Sequence, residues 1–164
     1  MAIDHETASK LAAAYTSAWN SGSPEAVAKC YSPEGQIVIN RGTPWVGRKG
    51  IAEMAAGFFA DVPDLKLECD DVRCAGTHVA YFWTFTGTHA STKNLLRVVG
   101  WEEWDLDDEL KVVASRGWYD ADDQRAADGA SLDASNTRRR PTFARRSVAR
   151  LVAQATVSWR RGSD

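Results

Sequence analysis

Apolar residues recur at three- and four-residue steps in the first third of the chain, which is typical of helices packed on a core. The first helix has one apolar face, made by Ala8, Leu11, Ala12, Tyr15 and Trp19. A second begins at Ser23-Pro24, a capping residue followed by proline, and extends to about Tyr31. A third runs over 48–61, and its apolar face comprises Ile51, Met54, Ala55, Phe58 and Phe59.

The hydrophobic period then changes to two, which indicates strands. A strand over 36–40 precedes the third helix, and a later one has Leu65, Leu67 and Cys69 on its apolar face. Strands over 78–88, 95–106 and 110–119 follow. The first of these is apolar or aromatic in one register and small, aromatic or hydroxylated in the other, which predicts a central strand covered on both faces. The order predicts an α+β fold, with three N-terminal helices packed on a curved, mainly antiparallel sheet.

Composition narrows the class of protein. Hydrophobic residues make up 44% of the chain and charged residues 26%, a balance typical of a globular protein. No apolar run approaches the ~20 residues that cross a bilayer, and the N-terminus lacks the pattern of a signal peptide, so we expect a cytoplasmic protein. Three cysteines, three histidines without ligand spacing and no glycine-rich phosphate loop predict neither a disulfide framework nor a metal or other cofactor.

The charge distribution divides the chain. Residues 1–128 carry 12 Lys/Arg against 20 Asp/Glu, whereas residues 129–164 carry 8 Arg against 2 Asp. This shift predicts one domain over 1–128 and a basic C-terminal extension over 129–164, a linker followed by an amphipathic helix. Such a helix can bind nucleic acid, a membrane surface or a protein, but a disordered end or a helix packed on an acidic neighbour is favoured.

One acid interrupts an apolar strand face. The even register of the strand over 95–106 contains Glu102 among Leu96, Val98, Gly100, Trp104 and Leu106. If that face lines a cavity, desolvation raises the pKa of Glu102 towards neutrality and suits it to general acid or base catalysis. The alternatives are a one-residue slip that turns Glu103 inward, or an acid solvated at the strand end.

Other side chains suit the wall of such a pocket. Tyr15 and Asn40 are candidate hydrogen-bond donors to a substrate oxygen, although aromatic residues at helical spacing also suit a plain core. Ser115 is expected on the cavity side with Val113, Gly117 and Tyr119, and Arg116 on the other side. The remaining candidate substrate-binding residues are Trp19, Trp45, Phe58, Phe59 and Trp104.

Large rings are also expected on the outer face of the sheet. Tyr81, Trp83, Trp101 and Trp118 are predicted to form one patch there. A patch of this kind is costly to leave in water, which suggests a homodimer interface. Coverage by the tail helix is the competing explanation.

Several segments resemble SnoaL-like proteins of the nuclear-transport-factor-2-like superfamily across residues 7–127. They are the run 13–27, the turn 31–35, the helix start 47–51 and the closing segments 111–113 and 118–120. The resemblance implies a cone of helices and curved sheet around an apolar pocket. The superfamily includes cofactor-free polyketide cyclases, ketosteroid isomerases and limonene epoxide hydrolases, and also non-catalytic scaffolds, so the fold does not settle function.

The resemblance also assigns roles by position. Glu102 falls where polyketide cyclases have a catalytic Asp and where ketosteroid isomerases have an acid that donates to the oxyanion. Tyr15 falls near the isomerases' tyrosine. Ser115 stands where cyclases commonly have His, and Asn40 stands near the isomerases' basic Asp. The Arg-x-Asp pair of the epoxide hydrolases would fall around His78 and Ala80, and their second Asp at Gly117. Neither acid is present, so that reaction is not expected.

The expected function is therefore cofactor-free acid/base chemistry, such as isomerisation or cyclisation, on a hydrophobic carbonyl compound. Glu102, Tyr15 and Asn40 would be catalytic. The alternative is a non-catalytic module of the same fold that binds a small ligand or dimerises.

Overall fold

Three helices and six strands build the domain in the computed structural model, which describes residues 2–119. The helices are α1 (His5–Asn20), α2 (Pro24–Ala28) and α3 (Gly47–Asp61). The strands are β1 (Tyr31–Ile39), β2 (Trp45–Val46), β3 (Lys66–Ala75), β4 (His78–Thr88), β5 (Leu95–Leu106) and β6 (Val112–Tyr119). The predicted boundary at Asp128 and the basic extension lie outside the described residues, and both stay predictions.

The helices follow the predicted pattern at their starts more closely than at their ends. Asp4 caps α1 by accepting from the Thr7 backbone N–H, and Ser23 caps α2 in the same way from Ala26. The predicted extension of α2 to Tyr31 is wrong. The chain leaves the helix at Ala28 because the Cys30 carbonyl accepts from the backbone N–H of Val112, which starts β1 beside β6 at Tyr31.

The strands form one sheet in the order β2-β1-β6-β5-β4-β3. The pairing of β1 with β6 is parallel and every other pairing is antiparallel. The bounds predicted for β4 and β5 are confirmed, whereas β1 starts five residues before Gln36 and β2 was not predicted. Together with the three helices on one face, this mixed and mainly antiparallel sheet confirms the expected cone-shaped α+β fold.

Register shifts curve the sheet and change which residues face the core. A shift between Cys69 and Asp71 leaves Cys69 exposed, although Leu65 and Leu67 are buried as predicted. Another shift lies between Asp105 and Leu106, where β5 pairs with β6. It puts Val113 on the exposed side, so the predicted grouping of Val113 with Ser115 is wrong.

The placement of Tyr81 and Trp83 on the outer face is also wrong. Tyr81 pairs with Glu102 and Trp83 pairs with Gly100, and directly opposed residues share a face. Because Glu102 points inward, Tyr81 and Trp83 do too, with 0% and 6% of their surface exposed. The outer face instead carries Phe82, whose exposure of 37% also contradicts the prediction that β4 is covered on both faces.

No helix within residues 2–119 is long and apolar enough to cross a membrane.

Candidate functional site

Glu102 is buried at the centre of the inner sheet face. It lies on β5 between Tyr81 of β4 and Gly117 of β6, and 7% of its surface is exposed. Glu103 points the other way, is partly exposed and pairs with Arg116 at 3.2 Å. Of the two adjacent acids, Glu102 is therefore the one enclosed by the core.

Three side chains donate hydrogen bonds to the Glu102 carboxyl. The Tyr15 hydroxyl lies 3.1 Å from both oxygens, the Trp104 indole N–H 2.9 Å from Oε2, and the Ser115 hydroxyl 3.0 Å from Oε2. The Tyr31 hydroxyl is 3.2 Å from that of Tyr15 and extends this network. Oε2 therefore accepts from three groups, whereas Oε1 accepts only from Tyr15.

Burial dominates the protonation of this cluster. Desolvation raises the pKa of Glu102, and the bonds from Trp104, Ser115 and Tyr15 offset only part of that rise. Burial also raises the pKa values of Tyr15 and Tyr31 well above the usual range, and the nearby Glu102 charge adds to both. The two phenols thus remain protonated hydrogen-bond donors while the carboxyl is the group that titrates.

An apolar pocket reaches the carboxyl from the open side of the cone. Its volume is about 480 Å³, including the space at its mouth. A Cβ at Gly117 would lie 3.4 Å from Glu102 Cγ, at ordinary contact distance, so Gly117 lies directly beside the acid. The lining residues are Trp19, Ile37, Ile39, Met54, Phe58, Leu65, Leu67, Trp83, Phe85, Glu102, Gly117 and Tyr119.

Five of the predicted site residues meet at Glu102 or at the pocket. Tyr15, Trp104 and Ser115 bond to the carboxyl, and Trp19 and Phe58 line the cavity. The Tyr15 hydroxyl is aimed at Glu102, and Tyr15 is absent from the pocket lining, where a substrate oxygen would lie.

Three predicted site residues lie elsewhere. The Asn40 side chain bonds to the backbone of Tyr119 on β6, at 3.0 and 3.1 Å, and thus joins two strand ends. Trp45 belongs to the short edge strand β2, and Phe59 packs edge-on against Trp19 outside the lining. Asn40 is therefore not positioned as a donor to a substrate in the pocket.

The sequence did not identify Tyr31 or Trp83 as parts of the site. The helical pattern predicts Tyr31 at the end of α2, whereas in the structure Tyr31 begins β1, five residues before the predicted start of that strand. Trp83 was assigned to the outer face. Its register relative to Glu102 would have placed it correctly, because the β4–β5 pairing sets the two on the same side.

Residues 2–119 contain no cluster of three His, Cys, Asp or Glu side chains arranged to hold a metal ion.

A family model for SnoaL-like domains matches residues 12–114. The chain belongs to the SnoaL-like domain family. The match includes α1 from Ala12 onwards, the whole of β5 and the first three residues of β6, and therefore contains Tyr15 and Glu102. No curated protein matches the chain in sequence.

Several solved structures share the fold of this chain. A hypothetical protein with a ketosteroid isomerase-like fold from Catenulispora acidiphila, crystallised with trimethylamine, has 18% identity and a TM-score of 0.64 over 68% of this chain and 86% of its own. A putative SnoaL-like polyketide cyclase from a Jannaschia species has 14% identity and a TM-score of 0.63 over 70% and 86%. The putative hydroxylase AclR from Streptomyces galilaeus has 22% identity and a TM-score of 0.62 over 71% and 91%.

Proposed function

We propose that this domain is a cofactor-free enzyme in which Glu102 transfers protons within a hydrophobic, carbonyl-containing small molecule. The observation that carries the proposal is the buried carboxyl at an apolar pocket, held by three hydrogen-bond donors. A carboxyl with a raised pKa is matched to proton exchange with carbon acids, and fixed donors keep it oriented without reorganisation during the reaction.

The proposal gives the two carboxyl oxygens different roles. Oε2 is occupied by Trp104, Ser115 and a share of the Tyr15 bond, so it anchors the group. Oε1 accepts a hydrogen bond only from Tyr15, so it keeps a free lone pair that can take a proton. In the proposed step, Oε1 takes a proton from the carbon beside a carbonyl, the C–H electron pair forms an enolate, and the proton returns to the same or a conjugated carbon.

Deuterium exchange tests this step without a known substrate. The bicyclic ketone 2-tetralone in D2O provides exchangeable C–H bonds beside its carbonyl, and mass spectrometry follows their replacement. We expect the protein to accelerate exchange and Glu102→Gln to slow it about a hundredfold or more, since a general base is worth about 10² to 10⁴ in rate. Glu103→Gln, a neutralised acid on the opposite face, should keep the rate; equal rates for both variants would contradict the proposal.

A second candidate function is non-catalytic binding of a small apolar ligand. It is favoured by Ser115 standing where the resemblance implies a His and by the engagement of Asn40 with the backbone. A binding module predicts that 2-tetralone raises the melting temperature by the same amount in the native protein and in Glu102→Gln, and that neither protein exchanges it faster than buffer alone.

We also propose that the outer sheet face forms a homodimer interface, with a corrected set of residues. Phe82, Val99 and Trp101 are 37%, 40% and 43% exposed, and Trp101 stacks on Trp118 with ring centres 6.4 Å apart. A row of large rings in water is the pattern of an interface. Sedimentation equilibrium should show a dimer that Trp101→Glu converts to monomer. If deletion after Asp128 creates the dimer instead, the tail covers this face.

A further inference from the structure

Three buried polar atoms beside the pocket have no hydrogen-bond partner among residues 2–119. They are the indole N–H groups of Trp19 and Trp83 and the hydroxyl of Tyr119. Each parent side chain is more than nine-tenths buried, and each lines the pocket. Leaving a buried polar group without a partner is unfavourable, so three such groups at one cavity indicate that a bound molecule completes their hydrogen bonds.

The position of Trp83 depends on the absence of a side chain at Gly100. A Cβ at Gly100 would lie 2.5 Å from the Trp83 ring, so the indole lies across β5 in space that only glycine leaves. This brings Trp83 to Tyr119 of β6, with ring centres 6.2 Å apart. Two of the three unpaired groups are therefore held together on the wall formed by β4 and β6.

The chemistry of these groups limits what can satisfy them. An indole N–H only donates, so its partner must be an acceptor, and a phenol with its pKa raised to about 12 by burial also donates at neutral pH. The lining contains no Lys, Arg or His to neutralise an anion, and Glu102 would repel one when ionised. These observations favour a ligand that carries no negative charge and whose oxygens accept hydrogen bonds.

We infer that Trp83, Tyr119 and Trp19 form a second polar subsite, which binds accepting oxygens of a neutral, ring-sized ligand separately from the Glu102 carboxyl. This inference rests on the proposed function only for the location of the reacting carbon at Glu102. The subsite defines a substrate class, apolar compounds with at least two acceptor oxygens, and it excludes plain hydrocarbons and organic anions from tight binding.

Two probes of similar size distinguish affinity that comes from shape from affinity that comes from hydrogen bonding. Chromone carries a carbonyl and a ring ether oxygen, whereas naphthalene has neither, and NMR titration of the full chain gives both affinities. We expect Tyr119→Phe, which removes only the hydroxyl, to weaken chromone about three- to tenfold, the equivalent of one hydrogen bond, and to leave naphthalene unchanged. The matched control is Tyr81→Phe, which removes a hydroxyl that bonds to Thr16 outside the pocket lining and should alter neither affinity.

Indole labelling gives a readout that needs no substitution. In protein carrying ¹⁵N-labelled tryptophan, chromone should shift the Trp83 and Trp19 N–H signals downfield, as hydrogen bonding does, and naphthalene should not. Unchanged indole signals together with equal losses for the two probes in Tyr119→Phe would overturn the subsite.

The two proposals fail separately. If deuterium exchange depends on Glu102 but chromone binding ignores Tyr119, the subsite is wrong and the catalytic proposal stands. If chromone binding depends on Tyr119 but no exchange depends on Glu102, the subsite is supported, the catalytic proposal is wrong, and the domain is a non-catalytic binding protein.

Discussion

The two faces of the β4–β5–β6 sheet use similar residues for different purposes. The inner face carries Tyr81, Trp83 and Trp104 packed around one acid, and the outer face carries Phe82 and Trp101 partly in water. On the inner face the acid is desolvated and bonded by neutral donors. On the outer face Glu103 forms a partly exposed ion pair with Arg116.

The difference lies in environment, because Glu102 and Glu103 are adjacent and chemically identical. Helices α1 and α3 cover the inner face, which removes water and makes each polar contact there consequential. The outer face, lacking such cover within the described residues, keeps its charges screened. The following variants test this contrast, beginning with the largest expected change.

Tyr81 and Phe82 are neighbours on opposite faces, and truncating each compares those faces directly. Tyr81→Ala should lower the free energy of unfolding by about 3–5 kcal/mol, because it empties a fully buried site between Tyr15 and Trp104. Phe82→Ala should cost about 1 kcal/mol or less. Urea unfolding measures both, and losses of equal size would mean that the outer face is also covered.

Gly100→Ala adds one methyl group to the inner face. The new Cβ would press on the Trp83 ring and on the Trp118 carbonyl oxygen, so we expect a loss of about 1–3 kcal/mol and a changed tryptophan fluorescence spectrum. Gly57→Ala is the matched control, since Gly57 lies within α3 with nothing within 4 Å of the added atom. That substitution should stabilise by about 0.5–1 kcal/mol; stabilisation at both positions would refute the packing argument.

These two comparisons also show how far sequence alone leads. Period and composition predict the bounds of β4 and β5 and one acid on an otherwise apolar face of β5, but they leave open whether Glu102 or Glu103 turns inward. They do not predict the face occupied by Tyr81 and Trp83, because Phe82 between these two residues puts an aromatic ring in the other register as well. Only pairing with Glu102 and Gly100 decides it. Bulges likewise put Cys69 and Val113 on faces that alternation along the sequence does not predict.

Glu102→Gln should change how stability depends on pH. Burial raises the pKa of Glu102 above its usual 4.5, so the native state keeps this proton to higher pH than the unfolded chain. The carboxyl's contribution to stability is then complete below about pH 4.5 and is lost as pH rises through its native pKa. The unfolding free energy of the native protein, relative to that of Glu102→Gln, should fall over that interval.

Glu103→Gln serves as the comparison for this titration, because it leaves Glu102 in place. Urea unfolding from about pH 4 to 9 should show the same decline in Glu103→Gln as in the native protein. A decline that persists in Glu102→Gln would assign it to another group.

Variants of Ser115 and Arg116 should have the smallest effects of those proposed. They differ in kind, because Arg116 forms partly exposed ion pairs and Ser115 donates to a buried carboxyl. Arg116 binds Glu103 and Asp105 at 3.2 and 3.4 Å with 42% of its side chain exposed. Arg116→Ala should therefore lower the free energy of unfolding by at most about 1 kcal/mol, and by less than that in high salt.

Ser115→Ala removes one of the three donors that hold down the pKa of Glu102. It should therefore move the acid limb of the exchange rate to higher pH, because the base ionises later. Salt should leave that shift nearly unchanged, since the bond is buried, whereas a salt-sensitive shift would place Glu102 in contact with solvent.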